Sequence, residues 1–407
     1  MSSAAGSLAP APVTQSAADP GATARPLTPS EVSTSALLTV MLRSAPQISD
    51  LFFSPGKPPM VEVNGKLLEV GKRALTPEQT LQIANDLVGN NIYAQKNLHD
   101  HGSCDVSYSL PGTSRFRVNV FMQRGTHAVV MRVIPARVPT FDELKLPQEL
   151  RQIAALRNGI VLVTGPTGSG KSSTLAAIID VINREHSYHI LTIEDPIEFL
   201  HSHRSCLIHQ RELHSDTTSF ASALRAALRQ APKVILVGEM RDRETIEIAL
   251  EAAETGHLVM STLHTIDASK TVERIVGVFP LAEQHAIRNR LAKSFRHIVS
   301  QRLLPKKDGK GRVAAIEILK STLRTREYVE KGEAEGKTLL DAMRVGGTEG
   351  MQHFDGEIEK LIRECVVDLQ TGLAYATNPG NLRLELADMQ SGEAGGEQSA
   401  SAMSANT

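Results

Sequence analysis

Eight consecutive residues, Gly165-Pro166-Thr167-Gly168-Ser169-Gly170-Lys171-Ser172, read G-x-x-x-x-G-K-S, and Ser173 follows them. Glycines at these positions let a tight loop turn its backbone N–H groups inward around a polyphosphate, and a helix starting there adds unpaired donors and a favourable dipole. In that chemistry Lys171 reaches the β- and γ-phosphates, and the Ser172 hydroxyl ligates Mg²⁺. The flanks agree. Residues 159–164 are a β-branched run suited to a buried parallel strand, and residues 173–179 continue as a helix. Strand, glycine loop and helix together form the context the motif requires. A nucleoside triphosphate is the expected ligand.

Further along lie the side chains that hydrolysis would need. Val234-Ile235-Leu236-Val237 leads into Gly238-Glu239. An acid at the C-terminal end of such a strand faces the crevice where open α/β sheets bind ligands, so Glu239 is placed to hold Mg²⁺ through water. Residues 190–193 lead into Glu194-Asp195-Pro196-Ile197-Glu198, three carboxylates at one rim. Hydrolysis needs a positioned base near the γ-phosphate, and spacing alone does not say which of the three it is. His257 and His264 flank the apolar run between them. Either suits a γ-phosphate contact, although a lone histidine at a strand end is more often structural. A zinc site has no third or fourth ligand at suitable spacing. Arg115 and Arg117 share one face of a strand, with Arg132 on the next, while Phe116, Val118 and Val120 point the other way. Those guanidinium groups are free for phosphate oxygens or simply for solvating a sheet face.

The elements that must position these groups follow from composition and periodicity. The chain has 407 residues, 41% apolar and 22% charged, which gives room for two or three domains. A net charge of −1 supplies no basic field, so no nucleic-acid partner is expected. Cys104, Cys206 and Cys365 lie far apart without a C-x-x-C pair, which argues against a zinc ribbon or a disulfide framework. No apolar stretch approaches a membrane span, and the N-terminus lacks the pattern of a secretory signal. A cytoplasmic chain is expected.

Residues 1–34 and 391–407 are rich in small and polar residues and read as disordered tails. Residues 35–137 read as an α+β module: a helix over 36–42, a hairpin around Asn64-Gly65, a helix opened by the capping box Thr76-Pro77-Glu78-Gln79, then strands over 115–121 and 128–133. Pro135, Pro139 and Pro147 mark a linker over 138–150. Residues 151–310 alternate strands with helices, which implies a largely parallel sheet covered on both faces. Residues from about 313 to 390 read as mainly helical.

Taken together these segments resemble the secretion-superfamily ATPases, specifically the type IV pilus retraction (PilT/PilU-like) ATPases. The resemblance spans about residues 35–390 and rests on the loop and three further boxes: Leu191–Phe199, Ile235–Asp242, and Ala252–Leu258 continuing to Thr262-Leu263-His264, with Gln210-Arg211-Glu212 between. It implies an α/β chain with a PAS-like N-terminal domain and a RecA-like ATPase domain over 151–390. It implies that ATP and Mg²⁺ are the cofactors, that Glu198 is the catalytic base, that Glu239 is the metal-side acid, and that His257 and His264 line the nucleotide site. It further implies a homohexamer in which N-terminal-domain arginines, matched by Arg117 and Arg132, reach a nucleotide. The partners implied are an inner-membrane platform protein, approached from the cytoplasmic face, and a paralogous pilus ATPase. Residues 322–330 match the family's C-terminal retraction element only loosely, whereas Lys331-Gly332-Glu333, residues 350–355 and Asn381-Leu382-Arg383-Leu384 lean toward the accessory branch. The tetracysteine module of extension and secretion ATPases is absent.

Overall fold

In the computed structural model, residues 33–135 and 137–387 are described. The tails expected over 1–34 and 391–407 lie outside this range except for Ser33 and Thr34. Those two open a helix instead: Ser33 Oγ accepts the Ala36 N–H at 3.2 Å, capping Thr34–Arg43.

The first sheet has six antiparallel strands: β1 (Ile48–Phe53), β2 (Met60–Val63), β3 (Lys66–Glu69), β4 (Ser103–Leu110), β5 (Ser114–Gln123) and β6 (Thr126–Ile134), in the order β3-β2-β1-β6-β5-β4. Asn64 and Gly65 both take positive φ, at 52° and 77°, so the expected two-residue hairpin joins β2 to β3 with Val63 opposite Lys66. The Thr76–Gln79 capping box forms and opens the Pro77–Val88 helix. Along β5, Phe116, Val118 and Val120 are fully buried, and alternation sends Arg115, Arg117 and Asn119 to the other face. Truncating Phe116 to alanine would cost about 3–5 kcal/mol by the cavity it leaves.

The second sheet has seven strands: β7 (Gly159–Thr164), β8 (His189–Glu194), β9 (Leu207–Glu212), β10 (Val234–Val237), β11 (Leu258–Leu263), β12 (Phe295–Pro305) and β13 (Arg312–Lys320). Their order is β13-β12-β7-β11-β10-β8-β9, parallel throughout except for β13. Every residue of β7, β10 and β11 is buried, as strands covered on both faces require.

Two expectations change here. Residues 313–320 form part of a strand, β13, because their backbone completes an antiparallel ladder on β12, and the C-terminal helices begin only at Leu323. The segment expected as a linker is also built in. Thr140 and Glu143 form a capping box around the short Phe141–Leu144 helix, and Phe141, Leu146, Leu150 and Ile153 pack into the core beneath β7.

Candidate active site

Because β7, β8, β10 and β11 run parallel, their C-terminal ends share one edge of the sheet. Each delivers one of the candidate segments to that edge, and together they line a cleft of about 910 Å³. β7 releases the glycine loop, β8 the Glu194–Glu198 segment, β10 Glu239 and β11 His264.

The loop needs its glycines for stated reasons. A Cβ on Gly165 would lie 2.4 Å from the Gln301 carbonyl oxygen, and Gly170 takes φ 92° immediately before the helix. That helix, Lys171–Glu185, has no side-chain cap, which leaves its first N–H groups to face the cleft. Thr167, Gly168, Ser169, Ser172 and Ser173 all line it. Lys171 is 7% exposed and folds back on its own loop, donating to the carbonyl oxygens of Gly165 at 2.9 Å and Pro166 at 3.1 Å. Burial lowers its pKa below the usual lysine range, and the negative charge of Glu198 opposes that shift.

Of the three carboxylates after β8, Asp195 and Glu198 are exposed in the cleft and Glu194 is not. Glu194 is held on both oxygens: Oε1 accepts from Thr192 Oγ1 at 2.6 Å and Gln210 Nε2 at 3.2 Å, and Oε2 accepts the Glu198 N–H at 3.4 Å. Burial raises its pKa. Glu198 is exposed on the cleft wall, near enough to Lys171 to act on its charge, and its carboxylate has no hydrogen bond among the described residues. Glu239 is mostly buried, ion-paired with Arg241, and 3.6 Å from His264 Nε2. The other imidazole nitrogen of His264 lies 3.5 Å from Thr167 Oγ1, so this ring bridges β10's acid to the glycine loop. Burial, followed by the charges of Lys171 and Arg241, lowers the His264 pKa and favours the neutral ring.

His257 is not in this constellation. It precedes β11 where His264 follows it, so one six-residue strand separates them, about 20 Å at 3.3 Å per residue. Its Nδ1–H donates to the Ala252 carbonyl at 2.9 Å, and its own carbonyl accepts the Gly159 N–H. In this chain it stitches helix to sheet at the edge opposite the loop.

The three arginines also part company. Arg117 reaches the cleft of its own chain. Arg132, directly across the ladder from it, pairs with Asp50 at 2.9 Å and is not among the residues lining the cleft. Arg115 is not free either: it pairs with the buried Glu212 of β9 at 2.8 Å. The sequence carries no signal for the apolar part of the cleft lining, to which Leu144 and Leu146 of the 138–150 segment, Leu303 of β12 and Val313 of β13 contribute.

A type II/IV secretion system protein family profile matches residues 35–382, most of the chain. The chain belongs to that family. Among its relatives, the type IV pilus retraction ATPase PilT of Pseudomonas aeruginosa is 43% identical over 333 residues, covering 82% of this chain and 95% of PilT. The type IV pilus ATPase PilU of the same organism is 40% identical over 336 residues, covering 83% and 87%. The crystal structure of the pilus retraction motor PilT with bound ADP superposes with a TM-score of 0.77 at 40% identity, covering 86% of this chain and 99% of that one. The family's α/β architecture is thus the one described above. Among the described residues no helix is long and apolar enough to cross a membrane.

Proposed function

We propose that this chain is a Mg²⁺-dependent ATPase that assembles as a homohexamer and powers type IV pilus retraction, and with it twitching motility. One observation carries the reading: the Glu198 carboxylate stands without a hydrogen bond beside the loop lysine, near enough to act on its charge, while its neighbour Glu194 is held on both oxygens. A group tied by three donors is a poor proton acceptor, and an unpartnered one facing the phosphates is a good one.

On this reading the phosphates sit on the loop N–H groups, and Lys171 exchanges its two carbonyl partners for phosphate oxygens. The apolar wall of Leu144, Leu146, Leu303 and Val313 takes the base. Glu198 orients the attacking water and accepts its proton. His264, neutral, carries the state of the loop to Glu239. Arg117 neutralises charge on the transferring phosphoryl group from the first sheet, while Arg132 reaches a nucleotide only on leaving Asp50. No cluster of three metal-ligating side chains occurs among the described residues. A hydroxyl from Ser172 and a carboxylate from Glu239 nevertheless suit Mg²⁺, which keeps several waters and shares phosphate oxygens rather than filling a protein cage. When bound it would neutralise charge on the β- and γ-phosphates.

The partners that this function calls for are the cytoplasmic side of an inner-membrane pilus platform protein and a paralogous pilus ATPase. Near-equal identity to PilT and PilU supports a second reading, an accessory subunit of a mixed motor. Deleting the gene and counting surface pili tests the direction of work: pili accumulate if the motor retracts and disappear if it extends. Turnover by the purified protein alone separates an autonomous motor from an accessory one.

A further inference from the structure

The first sheet and its helices meet the second sheet at the turn that follows β9. Tyr93 stacks on His214 with ring centroids 4.2 Å apart and planes 2° from parallel. Asn91 Nδ2 donates to the His214 carbonyl at 3.4 Å. Both contacts end at the turn. The third does not.

Arg115 Nη2 donates to Glu212 Oε2 at 2.8 Å, and that same oxygen accepts the Ile197 backbone N–H at 3.1 Å. Ile197 is buried and immediately precedes Glu198. Glu212 is anchored in turn: its N–H donates to Asp216 Oδ2 at 2.8 Å, and the next N–H, of Leu213, donates to the Glu194 carbonyl at 2.9 Å. The side chains of Arg115 and Glu212 are 19% and 4% exposed, so water has little access to replace either partner. Arg115 Nε is buried without a partner among the described residues, so the side chain is oriented by Glu212 and by Ser109 Oγ at 3.1 Å. One buried carboxylate oxygen therefore joins a guanidinium of the first sheet to the backbone that carries the free glutamate.

We propose that Arg115 and Glu212 are positioning residues that set where Glu198 stands, so that this one contact from the first sheet, not docking as such, completes the geometry for water activation. The inference rests on the reading of Glu198 as the base. Without Arg115, Glu212 is a buried unpaired charge; it turns toward other donors and draws the Ile197 peptide with it. A displacement on the order of 1 Å at a reacting group can cost about 10²-fold in rate.

The test uses the full-length protein, measuring steady-state ATP hydrolysis and ADP affinity. Arg115→Ala is expected to lower kcat by about 10- to 100-fold, with ADP affinity unchanged and with partial recovery in Arg115→Lys. Tyr93→Ala removes a docking contact that does not touch Glu212 and is expected to leave kcat close to wild type. In the Glu198→Gln background, Arg115→Ala should cause no further loss, because the residual rate no longer uses that glutamate. A wild-type kcat in Arg115→Ala overturns the proposal. So does an equal proportional loss in the Glu198→Gln background, or a matching loss in Tyr93→Ala, since either result describes a merely structural contact. If Arg115→Ala does not fold, Arg115→Lys and Glu212→Gln carry the test: both should lower kcat, and their double variant should be no worse than the weaker single. Additive losses would overturn the coupling. Glu198→Gln turning over at the wild-type rate would instead sink the base assignment, a result distinct from a dead Glu198→Gln beside a normal Arg115→Ala.

Discussion

The two sheets place functional side chains by different rules. In the second sheet the connectivity does the work: the parallel strands β7, β8, β10 and β11 end at the same edge, so the loop, Glu194 to Glu198, Glu239 and His264 converge although they are spread over a hundred residues. In the antiparallel sheet Arg115, Arg117 and Arg132 share a face, yet each finds a different partner: Glu212, the cleft and Asp50. Chain order decides the first arrangement. Long-range packing decides the second.

Lys171→Ala removes the group on which the parallel edge converges, and should lose both nucleotide binding and turnover, the latter by about 10²–10³-fold or more. Wild-type turnover in that variant, measured by phosphate release, would undo the whole site assignment. Arg117→Ala tests the antiparallel face. It should lose about 10- to 100-fold, short of the ~10³-fold of arginines supplied in trans, since Arg117 lines its own chain's cleft. Rings mixed from Arg117→Ala and Glu198→Gln subunits should hydrolyse no faster than their parents. A gain on mixing would mean that a neighbouring subunit supplies the arginine.

The two histidines sharpen the contrast within one strand. His264→Ala should lower turnover about tenfold, the worth of roughly one hydrogen bond at the site. His257→Ala should leave the chemistry untouched and register only as a small drop in melting temperature.

That pair also shows how much is legible in the sequence. The glycine loop, Glu239 and His264 can be read from it because each comes directly after an apolar strand, and parallel strands deliver their C-terminal neighbours to one edge. His257 is misplaced by the same logic inverted, since a residue that precedes such a strand belongs to the other edge. The hairpin at Asn64-Gly65 and the capping box at Thr76 are legible because local backbone chemistry fixes them. β12 and β13 are not. β12 carries Ser300 and Gln301, buried polar residues that donate to Glu317 and Thr174, 17 and 127 positions away, which masks the strand pattern. The apolar wall of the cleft combines residues 144, 146, 303 and 313, and no short-range spacing announces it.

Glu317 supplies an effect read not as turnover but as stability against pH. It is buried, bonded by the Ala268 N–H and Ser300 Oγ, and one hydroxyl away from Thr164 at the start of the loop. Burial raises its pKa to about 7, with Asp267 adding to the shift and Arg302 opposing it. Its folded pKa exceeds its unfolded one, so the folded state holds the extra proton and stability falls as pH rises from about 4.5 to 7. Glu317→Gln removes that penalty. It should melt above wild type at pH 8, by on the order of 3 kcal/mol at most, with the gain vanishing near pH 4.5. A gain independent of pH would contradict a buried, titrating carboxyl.

The central claim is that Glu198, not Glu194, takes the proton from water, and paired substitutions test it most directly. Single-turnover hydrolysis and ATP affinity should be measured for Glu198→Gln and Glu194→Gln side by side. The account predicts that Glu198→Gln binds ATP normally and loses about 10²–10⁴-fold in the chemical step. Glu194→Gln, whose carboxylate is already committed to Thr192, Gln210 and the Glu198 N–H, should lose far less. A larger chemical defect in Glu194→Gln, with ATP binding intact, would contradict it.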